Sequence, residues 1–149
     1  MALQYCISTG SVSLTAATAK TMIEIPTGAS LPFVVYCMEV TSGATSAGAL
    51  TIQWGTYTVT GTGTTITPQK IGPDQSLAAT LGTVKVADTV EPTSFAAGQL
   101  PIYLLPLPGM YSILYPFGRE IYQPISVLRA LRGTSTITTT AAINLYIEQ

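Results

Sequence analysis

The amino-acid sequence predicts an all-β fold, a single-domain β-sandwich or jelly roll with Thr- and Gly-rich turns. Short runs of alternating apolar and polar residues recur along the chain, and no stretch sustains a helical period. Gly, Pro, Ser and Thr separate these runs. Threonine, which suits a half-buried pleated surface, supplies 24 of the 149 residues. Short strands of this kind bury their apolar faces only against a second sheet, so two packed sheets are expected.

The chain length fits one domain over residues 1–149, large enough to bury a core without disulfides. Residues 1–12 are expected to form an extended arm or an edge strand. Within them, Tyr5 and Ile7 point to one face while Gln4 and Cys6 point to the other, and the alternation continues to residue 14. The N-terminus lacks the basic start and apolar block of a secretory signal, so export by that route is not expected.

Two strands are predicted next, at residues 22–25 and 33–40. The second is apolar on both faces, which is typical of a central strand buried between sheets. Residues 51–60 alternate most clearly. Gly61 and Gly63 then predict a turn, with residues 65–71 returning as the second half of a hairpin.

A short helical turn capped by Asp74 is predicted over residues 73–80. The remaining predicted strands share the same apolar alternation and cover residues 81–86, 102–105, 111–115, 126–131 and 143–148.

The charge inventory argues against an enzyme. The chain has six basic and seven acidic residues, a net charge of −1 and no His, so Ser-His-Asp and Cys-His catalysis are excluded. The acids are expected to be isolated surface carboxylates, although a hydrolase pair facing one cleft is the alternative. These acids are Glu24, Glu39, Asp74, Asp88, Glu91, Glu120 and Glu148.

No cofactor, metal ion, nucleic acid or membrane is predicted to bind. The scattered basic residues form no stripe that could follow a phosphate backbone. Cys6 and Cys37 are too few for a zinc site without His, and their alternating context favours small buried side chains over a disulfide. Four prolines interrupt the one long uncharged stretch, so it is not expected to span a membrane as a helix.

That uncharged stretch, residues 92–118, is the strongest functional signal in the sequence. Its aromatic, Met and aliphatic content is typical of the centre of a protein interface, while a purely intramolecular core is the alternative. Trp54 and the eight tyrosines could form a sugar-binding platform, but core packing is favoured for Trp54 because it alternates beside Ile52. The predicted subunit or capsid interface consists of Leu104, Leu107, Met110, Tyr111, Leu114, Tyr115, Phe117 and Arg119.

Arg119 and Glu120 end the uncharged stretch. As neighbours in a strand they would point to opposite faces. Arg119, with its planar fork of donors, is predicted to bridge to a carboxylate or backbone carbonyl across a subunit or sheet boundary.

Five short segments of the sequence resemble a known protein family. They are LTAATAKT (residues 14–21), TPQKIGPD (67–74), TVEPT (89–93), YPFGREI (115–121) and AINLYIE (142–148). Their order and spacing resemble jelly-roll capsid decoration proteins of tailed bacteriophages, over nearly the whole chain. The Pro-rich residues 100–109 depart from that pattern.

The resemblance implies a viral structural protein that binds the outer capsid surface and stabilises the capsid. Its partners would be its own copies, as a homotrimer, and the major capsid protein. It would be made in the host bacterial cytoplasm and located in the virion. A receptor- or glycan-binding head domain of a phage fibre or spike is the alternative function, and a polysaccharide hydrolase is a third.

Overall fold

The computed structural model describes residues 3–25, 32–71, 84–98 and 100–149, and these ranges contain thirteen β-strands and no helix. The strands are β1 (Gln4–Ser8), β2 (Val12–Leu14), β3 (Ala19–Ile25), β4 (Phe33–Ser42), β5 (Gly48–Thr56), β6 (Thr62–Ile66), β7 (Gln69–Ile71), β8 (Val84–Val90), β9 (Ile102–Leu107), β10 (Met110–Leu114), β11 (Ile121–Gln123), β12 (Arg129–Ser135) and β13 (Thr139–Glu148). The helical turn predicted at 73–80 lies outside the described residues.

The strands form two antiparallel sheets, which confirms the predicted sandwich. The first sheet has the order β10-β4-β13-β1-β7, and β11 and β2 extend it beside β4 and β13. The second has the order β6-β8-β3-β12-β5-β9.

Eight of these strands pair in the nested pattern of a jelly roll. β1 pairs with β13, β3 with β12, β4 with β10 and β5 with β9, so the first of the eight meets the last and the two middle strands meet each other. A long hairpin rolled over on itself produces this nesting. The contacts of β13 with β4 and of β12 with β5 complete two four-stranded sheets.

Residues 57–101 separate β5 from β9 as an insertion into this pattern, and the strands described within it widen both sheets. β7 pairs with β1, while β8 pairs with β3 and β6 pairs with β8. Because residues 4–6 of β1 lie between β13 and β7, the prediction that residues 1–12 form an arm or edge strand is wrong for residues 4–6.

The core lies between the sheets and follows the alternation of the strands. Tyr5, Ile7 and Trp54 are fully buried, as the sequence predicts. β4 differs from its prediction, because Val35 and Met38 are buried whereas Val34 on the opposite face is only half-buried. That opposite face has no third layer over it among the described residues.

The hairpin predicted between residues 51–60 and 65–71 is wrong. After Thr56 the chain leaves β5 and pairs instead with residues 91–96, through bridges from Thr56 to Ala96 and from Val59 to Thr93. β6 then pairs with β8. Residues 56–61 and 91–96, called the cover below, lie over the outer face of the second sheet, where the Phe95 ring stacks on the Arg132 guanidinium of β12 at 4.0 Å.

Candidate protein interface

The two sheets end on one side of the sandwich at β9 and β10, which follow each other in the chain with only residues 108–109 between them. Leu105 and Leu107 of β9 point into the core, and Tyr111 and Ile113 of β10 pack against it. Because side chains alternate along a strand, their neighbours must point outward. This sequence pattern therefore leaves apolar side chains on the surface.

The outward side chains of β9 and β10, together with the Phe117 ring of the following turn, leave five exposed apolar residues on this side of the sandwich, which we call the apolar edge: Ile102, Leu104, Met110, Leu114 and Phe117. Leu104, Met110 and Leu114 expose 74%, 80% and 72% of their surface, and Phe117 is fully exposed. Exposed large apolar side chains scattered singly are ordinary, whereas five at the edge strands of the two sheets make this side a candidate interaction surface.

The structure divides the predicted interface residues into three groups. Leu104, Met110, Leu114, Phe117 and Arg119 are exposed. Tyr111 and Tyr115 are half-buried and pack against the core. Leu107 is only 5% exposed, so it belongs to the core instead, because it shares the inward face of β9 with Leu105.

Sequence reasoning missed three exposed apolar residues near this surface. Ile102 shares the outward face of β9 with Leu104, a relation that strict alternation would have shown. Tyr122 and Ile125 are also exposed, but they follow the charged pair at 119–120 and so lie beyond the uncharged stretch.

Trp54 and Tyr115 connect the apolar edge to the core. The Trp54 indole Nε1–H donates to the Tyr115 hydroxyl at 3.3 Å, and the Tyr103 ring meets the Tyr115 ring edge-on at 6.4 Å. Burial, above all, raises the pKa of Tyr115. Since Trp54 is fully buried, a sugar-binding platform cannot be built on it.

A pocket of about 200 Å³ opens on the outer face of the first sheet, beside the apolar edge. Its lining residues are Glu39, Thr41, Met110, Tyr111 and Ser112. The pairing of β4 with β10 creates it by placing Ser112 opposite Glu39 and Met110 opposite Thr41.

Glu39 is the charged group of this pocket. The Tyr146 hydroxyl donates to its Oε2 at 2.8 Å, and this bond is the first cause that raises the pKa of Tyr146 to about 12. Within the described residues, the ion pairs are Lys85 with Glu24 and Arg132 with Glu91, so no cation of the same chain neutralises Glu39 there. The pocket therefore presents a carboxylate beside a methionine.

Both cysteines lie on this same outer face and are free thiols. Each is in register with Tyr146, Cys6 on one side and Cys37 on the other, so a strand separates them and no disulfide can form. Cys37 is buried, as expected, whereas Cys6 is half-exposed. Burial, followed by the charge of Glu39, raises the pKa of Cys6.

The prediction of isolated surface carboxylates is wrong for Glu24 and Asp88. Both point to the outer face of the second sheet, where the cover leaves them 0% and 2% exposed. Gly61 N–H donates to Glu24 Oε2 at 2.8 Å, and the Lys85 ammonium lies 3.7 Å from Glu24 Oε1 while donating to the Gly61 carbonyl at 2.8 Å. Glu91 accepts from Thr21 N–H and hydroxyl and pairs with Arg132 at 3.5 Å.

Within this acidic cluster Glu24 and Asp88 are buried, whereas Glu91 is partly exposed beside a surface pocket that Asp88 also lines. While the carboxyls of Glu24 and Asp88 are both ionised they are acceptors only, and both oxygens of Asp88 as well as Glu24 Oε1 then have no hydrogen-bond donor from the described residues. Across the described part of the chain, no group of three or more Cys, Asp or Glu side chains is arranged to hold a metal ion.

Arg119 lies in a turn rather than in the predicted strand. Its backbone N–H donates to the Pro116 carbonyl at 2.8 Å, and Gly118 adopts a φ of 80°, a left-handed conformation that favours glycine. The Arg119 side chain is exposed and forms no ion pair or hydrogen bond with the described residues. The described ranges also hold no apolar helix of membrane-spanning length.

Comparisons with known proteins find similarity to a solved virus structure. No protein-family model matches the chain, and no curated protein matches it. Among solved structures, the chain is similar to the virus-like particle of extra small virus from the giant freshwater prawn Macrobrachium rosenbergii, determined by cryo-EM. The match has 12% identity and a TM-score of 0.29, and it covers 97% of this chain and 79% of that one. A TM-score this low supports no conclusion about fold or function, so the jelly roll follows from the strand pairing alone.

Proposed function

We propose that this chain is a structural protein of a virus particle, a decoration protein that binds the outer surface of a bacteriophage capsid and stabilises it. The observation that carries the proposal is the apolar edge, whose side chains are mostly exposed in the single chain. Jelly rolls occur in capsid proteins, lectins and cupins alike, so the fold does not choose among these functions. Five short sequence segments resemble phage decoration proteins, and this resemblance favours a capsid protein over a lectin or a cupin.

The proposal includes no enzymatic activity. A polysaccharide hydrolase needs two carboxyl groups that face a cleft and reach the substrate. The pair formed by Glu24 and Asp88 is instead buried beneath the cover, with Lys85 and Gly61 bonded to it. The absence of His from the sequence removes the commonest general base.

The mechanism of stabilisation is mass action. A protein that binds only the assembled capsid stabilises it by its binding free energy. As a homotrimer the protein would offer three copies of the β9 part of the apolar edge, Ile102 and Leu104, to the major capsid protein, and linked contacts raise the effective affinity without new chemistry. The low net charge of −1 suits a contact made through apolar area.

Co-sedimentation with capsids tests this function. The purified chain is mixed with capsids of the virus that encodes it, prepared without the protein, and separately with unassembled capsid protein. We expect binding to assembled capsids only, together with a higher temperature of capsid rupture. Leu104→Asp should abolish binding, because an unpaired charge at an interface is costly, whereas Val59→Asp, at an exposed apolar residue of the cover, should not.

Failure of the chain to bind capsids would contradict the proposed function. Binding to a glycan array instead would favour the receptor-binding alternative, for which Phe117 and Tyr122 are the exposed aromatic residues.

A further inference from the structure

We infer that the turn at residues 116–119 of one copy docks into the Glu39 pocket of a second copy of the chain, with the Phe117 ring against Met110 and the Arg119 guanidinium paired with Glu39. This inference rests on the proposed function, since it names the contact through which decoration subunits associate. It adds a specific site to the general apolar edge.

The turn is built to present both side chains outward. The hydrogen bond from Arg119 N–H to the Pro116 carbonyl closes it, and the left-handed Gly118 lets the chain reverse between Phe117 and Arg119. Phe117 is fully exposed, so it fills no pocket of its own chain. An aromatic ring held away from its own core gains free energy only when another surface covers it.

The pocket matches this pair of side chains in size and chemistry. Its volume is about 200 Å³, and an engineered cavity of about 150 Å³ is known to bind benzene. Met110 forms an adaptable apolar wall, since the thioether makes favourable contacts with aromatic rings. Glu39 offers a carboxylate, the group that the Arg fork binds best, and the hydroxyls of Thr41 and Ser112 offer further acceptors.

Charge complementarity favours a second copy as the occupant. The described outer face of the first sheet carries the carboxylates Glu39 and Glu148 without an ion pair of their own. Arg119 is an exposed cation without a partner among the described residues. Of the six basic residues, all within the described ranges, Arg119 is the one whose side chain is exposed, so its turn offers the most accessible cation to the Glu39 pocket. Each copy has both the turn and the pocket, so repeating the same contact from copy to copy can form a closed symmetric oligomer.

A charge-swap experiment tests the inference by sedimentation of the full chain over a range of concentrations. We expect Glu39→Arg and Arg119→Glu each to weaken self-association by at least about tenfold, because each places like charges together. The double variant restores the pair, so it should associate within about threefold of the wild type. Phe117→Ser, at a fully exposed position where folding is not at risk, should also weaken association by about tenfold.

Glu148→Arg and Lys20→Glu are the matched controls, because Glu148 lies on the same sheet face outside the pocket and Lys20 lies on β3 of the other sheet. They should associate like the wild type. Lys85 is not a suitable control, since its ammonium is bonded to Glu24 and Gly61.

A monomeric wild-type chain would overturn the inference, as would a Phe117→Ser variant that still associates normally, or a double variant no better than its two parents. The capsid co-sedimentation above separates the two proposals. If the variants associate normally and still bind capsids, the proposed function stands and the inferred contact is wrong. If the chain self-associates through this contact but does not bind capsids, the inferred contact stands and the proposed function is wrong.

Discussion

Asp88 lies beneath the cover with 2% of its surface exposed, next to the fully buried Glu24. Burial raises the pKa of Asp88 to about 8, reinforced by a hydrogen bond to Glu24 and by the charges of Glu24 and Glu91, while Lys85 acts in the opposite direction. At neutral pH the Asp88 carboxyl therefore keeps a proton that it can donate to Glu24. Two buried carboxylates would otherwise repel each other.

This proton makes the folding free energy depend on pH. The folded pKa of about 8 lies above the value of about 4 in the unfolded chain, so between these two values the folded state holds the extra proton. Stability contributed by this group is fully present below about pH 4 and is lost as the pH rises towards 8. The slope for one proton is about 1.4 kcal/mol per pH unit.

Denaturant unfolding between pH 5 and 8 measures this slope, with Asp88→Asn as the variant. Asparagine keeps a donor for Glu24 but cannot ionise, so the slope should flatten and the variant should be the more stable protein at pH 8. Glu120→Gln, in the turn before β11, should leave the slope unchanged. An unchanged slope in Asp88→Asn would show that Asp88 does not hold the proton.

The sequence could not predict this pair, because the two residues are 64 positions apart and the cover that buries them is built by a third part of the chain. Alternation places Glu24 on an outer face, where a carboxylate is normally solvated, but it places Asp88 on the same face as Val84 and Val86. The left-handed Ala87, with a φ of 53°, interrupts that alternation just before Asp88. By contrast, Trp54 and Ile52 are predicted correctly as core residues, since strand alternation decides their burial locally.

At the scale of elements, Gly61 and Gly63 of the insertion allow two backbone segments to pack closely, which their sequence context does not indicate. Sequence reasoning assigned Gly61 and Gly63 to a hairpin turn. In the structure, a Cβ at Gly63 would overlap Asp88 Oδ1 and lie 2.9 Å from the Val86 carbonyl, and a Cβ at Gly61 would overlap the Val90 carbonyl. Glycine is needed at both positions because β6 and residue 61 approach β8 closely.

Gly63→Ala should accordingly destabilise the fold by about 1–3 kcal/mol through overpacking. Gly98→Ala is the comparison: no atom lies within 4 Å of its added Cβ, but its φ of 57° is left-handed, so a cost of about 1 kcal/mol is expected there. Thermal unfolding of the two variants checks the order. If Gly63→Ala is as stable as the wild type, β6 and β8 do not pack this closely.

The strands themselves are largely predictable from alternation, and their pairing is not. The predicted runs at 22–25, 102–105 and 143–148 all fall within observed strands, because burial on one face fixes their period. The predicted hairpin between β5 and β6 is wrong because the chain after Thr56 pairs with residues 91–96. Residues 4–6 are internal because the insertion adds β7 beside β1. Both errors come from contacts distant in sequence.

At the scale of the whole molecule, the rolled pairing determines where apolar surface remains. The first and last of the eight nested strands, β1 and β13, pair with each other inside the first sheet. As a result, β9 and β10 are the edge strands at one side of the sandwich. Both strands lie within the uncharged stretch at residues 92–118. Because side chains alternate along a strand, every second side chain of β9 and β10 points outward. The sequence could predict an apolar interface here, but only the topology shows which residues are exposed: Leu114 faces outward, whereas Leu107 does not.

Leu114→Asp is therefore a cleaner probe of this surface than a change at Tyr111. The Tyr111 ring packs against the core and its hydroxyl bonds to the Pro106 carbonyl, so Tyr111→Asp would also disturb folding. Leu114 is 72% exposed, and a charge there costs little in the single chain but is unfavourable in a buried interface.

The mass of the intact chain in solution, measured by light scattering for the wild type and for Leu114→Asp, tests most directly the claim that the apolar edge is a protein interface. We predict three times the chain mass of 15.6 kDa for the wild type and a single chain for the variant, with Val59→Asp remaining trimeric. A wild-type dimer or tetramer would correct the number of subunits and leave the interface in place. A wild-type monomer, or a Leu114→Asp variant that keeps the oligomer mass, would contradict the account.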